Sequence, residues 1–130
     1  MAHRILVVDD SPVVRLILQD MLEALGHKVV AQAESAAGAI AAFREGKHDV
    51  VLLDISLPDG EGLSVLREMR QIDPSARVFI VTGNAQKALR EQAIESGALG
   101  LLQKPFDAKE LAALLGQIGE AASSGAAGPA

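Results

Sequence analysis

The stretch VVLLDISLPDG, residues 50–60, decides the fold because it joins an apolar strand to a single acid. Four apolar residues, two of them β-branched, precede Asp54, and a turn with Pro58 and Gly60 follows it. This pattern predicts a buried strand that delivers one carboxylate to its C-terminal end. A carboxylate in that position costs free energy unless a cation, a proton or hydrogen bonds compensate it. We therefore expect the rest of the chain to supply partners for Asp54.

The composition predicts one globular domain. The chain has 130 residues and is 49% hydrophobic, which is enough for a core without disulfides or a structural metal. It has no cysteine, so thiolate metal sites and cysteine nucleophiles are excluded. The net charge of −5 at pH 7 and an aromatic content of three phenylalanines argue against direct nucleic-acid binding by this chain.

The apolar segments are short. None is long enough to cross a bilayer, and residues 5–8 are too few for the apolar region of a signal peptide. The sequence therefore predicts a cytoplasmic protein that does not insert into a membrane.

Short apolar strands alternate with amphipathic helices along the chain. Strands are predicted over residues 5–8, 28–32, 50–54, 77–82 and 99–102, and helices over 12–25, 36–45, 62–70, 85–96 and 108–118. This alternation predicts an α/β fold in which right-handed crossovers build a doubly wound parallel sheet with helices on both faces.

Four of the five predicted strands end at side chains with useful chemistry. Asp9 and Asp10 follow the first strand, Asp54 ends the third, Thr82 ends the fourth, and Lys104 follows the fifth. Ligands of such sheets bind beyond the carboxyl ends of the strands, near a switch in strand order. We therefore expect these five side chains to meet at one edge of the sheet.

Three carboxylates at one edge require a cation. Each close pair repels by about 4 kcal/mol at an effective dielectric constant of about 20. Oxygen ligands without histidine or cysteine favour a hard cation, and a shallow site with few carboxylates suits Mg²⁺ better than Ca²⁺. A nucleophilic carboxylate, a metal ion, an ammonium group and a hydroxyl are what phosphoryl transfer to an aspartate requires.

These residues, in this order, resemble the receiver domains of response regulators in two-component signalling, of the chemotaxis response regulator type. The resemblance extends over residues 3–118. It rests on Asp9-Asp10, Asp54, Pro58, Gly60, Thr82 and Lys104-Pro105-Phe106.

The resemblance implies a flavodoxin-like (βα)5 sandwich with strand order 2-1-3-4-5. It implies a phosphorylation-activated switch in which Asp54 accepts a phosphoryl group from a sensor histidine kinase or a histidine phosphotransfer protein, and which then acts on a downstream effector protein or domain. Such a domain is not an enzyme in the ordinary sense, since it catalyses only the formation and hydrolysis of its own aspartyl phosphate. Mg²⁺ is expected to bind Asp9, Asp10, Asp54 and the backbone carbonyl of Ser56.

The resemblance also assigns the groups that respond to the phosphoryl group. The Thr82 hydroxyl and the Lys104 amine are expected to bind its oxygens, and the Lys104–Pro105 bond is expected to be cis. Leu101 stands where the family often has a tyrosine or phenylalanine that couples phosphorylation to the output surface. We therefore expect the signal to pass through residues 82–85 and the helix that follows them.

Ser56 and Asn84 follow Asp54 and Thr82 by two residues each. In the family these positions vary and border the path of the hydrolytic water, so the lifetime of the phosphate is not predicted. His3, His27 and His48 show no metal-ligand spacing, and we expect surface histidines there.

The domain boundaries follow from composition. We expect a receiver domain over residues 3–118. Residues 119–130 are Gly, Ala and Ser with a single charge, which predicts a flexible tail or a linker to an effector domain.

Three other functions compete with this interpretation. A flavodoxin-like electron carrier needs a phosphate cradle after the first strand and aromatic rings for the flavin, but Asp9-Asp10 would repel the phosphate and the chain has no Trp or Tyr. A Mg²⁺-dependent phosphatase of the haloacid dehalogenase type would have an acid where Ser56 stands and would need room for a cap domain. The chain also fits the N-terminal receiver of a larger response regulator.

Overall fold

The computed structural model of the protein describes residues 2–83 and 86–127, and from residue 119 onward it describes only the backbone. The strands within these ranges are β1 (Arg4–Val8), β2 (Lys28–Ala33), β3 (Val50–Asp54), β4 (Ser56–Leu57), β5 (Gly60–Glu61), β6 (Val78–Thr82) and β7 (Gly100–Gln103). The helices are α1 (Pro12–Ala24), α2 (Ala36–Glu45), α3 (Gly62–Ile72), α4 (Lys87–Glu95) and α5 (Ala108–Ala127).

Five of the strands form one parallel sheet in the order β2-β1-β3-β6-β7. Counted along the chain without the two short strands, this is the predicted order 2-1-3-4-5, which is confirmed. All five residues of β3 are buried in the middle of the sheet. Because the strands are parallel, their C-terminal ends lie at the same edge.

The two faces of the sheet are covered by different helices. Val51 and Leu53 of β3 belong to a core cluster with residues of α2, α3 and α4, whereas Val50 and Leu52 pack with residues of α1 and α5. This alternation follows from the two-residue period of a strand. Because helices cover both faces of the sheet, the central strands are almost continuously apolar.

Side chains cap the N-termini of α1 and α5. The Ser11 hydroxyl accepts the Val14 N–H at 3.2 Å at the start of α1, with Pro12 at the first helical position. At the start of α5, Asp107 and Glu110 exchange backbone-to-side-chain hydrogen bonds of 3.1 and 2.8 Å, which form a capping box. Among the described helices, none has the length and apolar character that crossing a membrane requires.

The largest differences from the predicted secondary structure lie in the loop after Asp54 and at the end of α5. β4 and β5 form a two-stranded antiparallel hairpin where only a turn was expected, because strands of two residues are too short to show a periodic pattern. α5 continues to Ala127, although the helix was expected to end at Ile118, since an alanine-rich segment favours continued helix. Whether residues 119–130 act as a tail or linker stays a prediction, and residues 128–130 lie outside the described ranges.

The prediction of surface histidines is wrong for His3, of which only 8% is exposed. Its ring stacks on His27 with 5.4 Å between ring centroids, and its backbone N–H donates to Nδ1 of His27 at 3.0 Å. The start of β2 covers this end of β1, because the Lys28 N–H donates to the His3 carbonyl at 3.0 Å. His27 and His48 are half-buried, and the His48 ring lies 4.8 Å from the ring of Phe43.

Burial lowers the pKa of both stacked histidines. Desolvation is the largest cause for His3; Asp49 opposes it, while the amino terminus and Arg77 add to it. For His27 the further causes are His3 and the amino terminus, which also lower its pKa. Nδ1 of His27 accepts the His3 N–H only while that nitrogen carries no proton.

We predict that the free energy of unfolding falls as the pH drops from about 7.5 to about 5.5. Above the ordinary histidine pKa of 6.5 both folded and unfolded chains are neutral at these positions, and below it the unfolded chain binds protons first. His27→Gln supplies an acceptor oxygen that does not titrate, so its stability should decline less over the same range. Urea unfolding at both pH values measures this, and equal declines in the two proteins would contradict it.

Candidate functional site

Three carboxylates meet at the C-terminal edge of the sheet, as predicted. Oxygens of Asp9, Asp10 and Asp54 all lie within 4.8 Å of one another. Asp9 and Asp54 are buried, with 1% and 5% exposed, whereas Asp10 is exposed. The site therefore has a buried floor and an open rim.

The pairing of the strands brings the acids together. β1 and β3 are neighbours with Val8 opposite Leu53, so Asp9 and Asp54 are the next residues along each strand. The Asp9 N–H continues the ladder to the Ala33 carbonyl at 3.0 Å, and Asp54 pairs with Val81 of β6. The positions of both carboxylates are thus set by backbone hydrogen bonds on either side.

Lys104 spans the two buried acids. Its Nζ lies 2.9 Å from Oδ2 of Asp9 and 3.8 Å from Oδ2 of Asp54. The Lys104 N–H donates to the Thr82 carbonyl at 2.7 Å, which ties the end of β7 to the end of β6. Thr82 is 1% exposed, and the peptide bond between Lys104 and Pro105 is cis.

The pKa of Asp54 is raised above its ordinary value. Burial is the largest cause, and the charges of Asp9 and Asp10 add to it. The Ser56 N–H, which donates to Oδ1 of Asp54 at 3.2 Å, and the Lys104 ammonium act in the opposite direction. The Lys104 ammonium therefore does not fully offset the burial and the neighbouring charges at Asp54, and a further cation beside Asp54 would be favourable.

The residues present fit a magnesium ion. The donors are carboxylate oxygens of Asp9, Asp10 and Asp54, close enough to share one ion. The open rim at Asp10 leaves room for the water ligands that Mg²⁺ retains. Ser56, predicted to add its backbone carbonyl, lies in β4 directly beside this cluster.

Of the predicted switch residues, the structure describes Thr82, Leu101 and Pro105. Leu101 lies in β7, half-buried against the core cluster on the side of α2, α3 and α4. Asn84, predicted to border the path of the hydrolytic water, and Ala85, where α4 was expected to begin, lie outside the described residues.

Sequence reasoning missed three residues that support the site. Arg15 donates from Nη1 to the Asp9 carbonyl at 2.6 Å. Asp59 binds the N-terminus of α2 through both carboxylate oxygens. Gly62 lies so close to the Asp54–Ile55 peptide that a Cβ there would stand 2.5 Å from Ile55 Cα and 2.6 Å from the Asp54 carbonyl oxygen. Of these contacts, only the one at Gly62 is indicated in the sequence, by a glycine at the predicted start of a helix.

The fold and this edge define a class of protein. The family model of the response regulator receiver domain matches residues 5–116. The chain belongs to this family and is a receiver domain of two-component signalling, which accepts a phosphoryl group on an aspartate.

Similar proteins cover nearly the whole chain. The chemotaxis protein CheY of Bacillus subtilis is 40% identical over 108 residues, which are 83% of this chain and 90% of that protein. A LuxR-family two-component response regulator from Aurantimonas superposes with a TM-score of 0.86 at 36% identity, covering 91% of this chain and 85% of that one. A response regulator from Burkholderia pseudomallei, whose structure holds a phosphorylated aspartic acid, a calcium ion and citrate, superposes with a TM-score of 0.78 at 31% identity, covering 86% and 65%.

We predict that Gly62→Ala lowers the free energy of unfolding by about 1–3 kcal/mol, because the new methyl group displaces the backbone that carries Asp54. Gly116→Ala in α5 is the matched control. Within the described part of the chain, no atom outside the adjoining helix backbone lies within 4 Å of the place that its Cβ would take. This substitution should therefore stabilise the protein by about 0.5–1 kcal/mol through the helix. Urea unfolding compares the two, and stabilisation by both substitutions would contradict the close approach at Gly62.

Proposed function

We propose that Asp54 is the phosphoryl acceptor of this receiver domain and that Asp9 and Asp10 hold Mg²⁺ beside it. The observation that carries the proposal is the cluster of three carboxylates with the Lys104 ammonium placed between Asp9 and Asp54. The Ser56 carbonyl is proposed as a further ligand of the ion.

The contacts of the buried acids favour Asp54 over Asp9 as the nucleophile. Oδ1 of Asp9 accepts the Ser11 N–H at 2.9 Å, and its Oδ2 accepts from Lys104 at 2.9 Å. Oδ1 of Asp54 accepts from Ser56, whereas the Lys104 ammonium approaches its Oδ2 only to 3.8 Å. Oδ2 of Asp54 is therefore the buried oxygen best able to form a new bond.

In the proposed reaction, a carboxylate oxygen of Asp54 attacks the phosphorus of a phosphohistidine. The new P–O bond forms as the P–N bond breaks, and the electron pair of that bond leaves with the donor's histidine nitrogen. Bound Mg²⁺ would supply positive charge to the carboxylates and to the phosphoryl oxygens. Lys104 supplies a second positive charge, which stabilises the charge on the transferred group.

Phosphorylation gives Lys104 and Thr82 a new anionic partner. The Lys104 ammonium, now closest to Asp9, would move toward the phosphoryl oxygens, and the Thr82 hydroxyl would bind another of them. This favours one arrangement of the segment after β6 and of α4, which is anchored in the core by the buried Ala93. The proposed signal therefore passes through α4. Leu101 occupies the position of the aromatic switch residue.

The partners of this reaction are also part of the proposal. The donor is a sensor histidine kinase or a histidine phosphotransfer protein, and the output is a downstream effector protein or domain. The chain catalyses only its own phosphorylation and dephosphorylation, and we expect no turnover of free phosphomonoesters, because Ser56 stands where a phosphatase of the haloacid dehalogenase type needs its second acid. A cytoplasmic location stays a prediction from the N-terminal sequence.

We predict that acetyl phosphate with Mg²⁺ adds one phosphoryl group to the protein and that Asp54→Asn abolishes this, because an amide is a poor nucleophile. Asp20→Asn, which removes an exposed acid from α1, is the matched control and should be modified normally. Intact-protein mass spectrometry measures the gain. Modification of the Asp54→Asn protein, or modification unaffected by a metal chelator, would contradict the assignment.

A further inference from the structure

Asp59 joins the loop after Asp54 to a distant helix. It lies between β4 and β5, at the tip of the hairpin. Its Oδ1 accepts the Ala36 N–H at 2.6 Å and its Oδ2 accepts the Ala37 N–H at 3.1 Å. Together with the Ser35 hydroxyl, which accepts the Gly38 N–H at 3.0 Å, it provides partners for the first three N–H groups of α2.

This contact is tertiary, whereas helix capping is usually local. Ser35 already provides the local cap of α2, so the chain uses a second acceptor from another segment. The positive end of the helix dipole attracts a carboxylate. The two N–H donors, Ala36 first, lower the pKa of Asp59, so the carboxylate stays charged at neutral pH.

The other end of the hairpin contacts the phosphorylation site. The Ser56 N–H donates to Oδ1 of Asp54 at 3.2 Å, and Ser56 pairs with Glu61 across the hairpin. The Gly62 N–H donates to the Ile55 carbonyl at 2.8 Å, which closes the base of the hairpin. The short segment from Ser56 to Asp59 therefore connects the ligand cluster directly to the contact with α2.

We propose that Asp59 is a positioning residue for the metal: by binding the N-terminus of α2, it holds the hairpin so that the backbone of Ser56 faces the carboxylate cluster. The inference rests on the proposed function, because it concerns the same Mg²⁺ ligands. Asp59 is not one of the three clustered carboxylates, so it would act through the backbone of residues 56–58. Residues that orient metal ligands in this way affect affinity without touching the metal.

Two simpler roles of Asp59 make different predictions. If it only stabilised α2, removal of the Ser35 cap would have the same effect on Mg²⁺ binding. If it only contributed negative charge near the cation, removal of the charge of Glu61 from the same hairpin would have the same effect. Glu61 is exposed, and its side chain makes no capping hydrogen bond to α3.

The experiment is a Mg²⁺ titration, monitored by amide NMR shifts, of the protein without substitutions and of four variants. Asp59→Ala should weaken Mg²⁺ binding by about tenfold. The Mg²⁺ affinity of Asp59→Asn, which keeps one acceptor oxygen, should lie between the affinities of Asp59→Ala and Glu61→Gln. Ser35→Ala should lower stability in urea but leave Mg²⁺ affinity within about twofold, and Glu61→Gln should lose no more than about twofold through charge alone. The Ser56 amide signal of the metal-free protein should shift in Asp59→Ala and not in Ser35→Ala.

Each outcome decides the inference. Equal losses of affinity in Asp59→Ala and Ser35→Ala, or equal losses in Asp59→Asn and Glu61→Gln, would overturn it. If the protein without substitutions binds Mg²⁺ and the Asp59→Ala variant binds it equally well, the inference is overturned but the proposed function is not. If the protein without substitutions does not bind Mg²⁺, both the proposed function and the inference are overturned. If Asp59→Ala fails to fold, the comparison of Asp59→Asn with Glu61→Gln decides.

Discussion

The structure depends on two buried carboxylates held side by side by the pairing of β1 with β3. Asp9 and Asp54 follow adjacent strands, so the backbone gives them no freedom to separate. Burial of like charges is costly, and Lys104 offsets part of that cost by placing its ammonium 2.9 Å from one acid and 3.8 Å from the other. Burial and the charges of Asp9 and Asp10 raise the pKa of Asp54 in spite of this ammonium group. A cation and a phosphoryl group are the partners that such an arrangement can use.

The segments around these acids act as a support for them. Gly62 permits α3 to begin against the Asp54–Ile55 peptide, where any side chain would collide with the backbone. Arg15 holds the carbonyl of Asp9 at 2.6 Å. Asp59 fastens the hairpin to α2. The geometry of the site is thus set by several contacts that do not involve the side chains of the three clustered carboxylates.

The sequence predicted the sheet and the meeting of the three carboxylates because both follow from patterns that are local in the chain. Apolar runs that end in Asp9, Asp54 and Thr82 identify the strands, and the parallel order then places their ends together. The β4–β5 hairpin has strands of two residues and shows no period, so it was missed. The contact of Asp59 with α2 and the burial of His3 under the start of β2 join segments more than twenty residues apart, and no local pattern reports such contacts.

The most direct test of the roles of Asp54 and Lys104 is a crystal structure of the protein with Mg²⁺ and beryllofluoride, which mimics the phosphoryl group. We expect beryllium bonded to a carboxylate oxygen of Asp54, with the Lys104 ammonium moved from Oδ2 of Asp9 to a fluoride. The Nζ–Oδ2 distance to Asp9, 2.9 Å at present, should increase accordingly. Beryllofluoride bound to Asp9 or Asp10, or Lys104 retained on Asp9 while Asp54 carries the group, would contradict the exchange of partners that we place at the centre of the site.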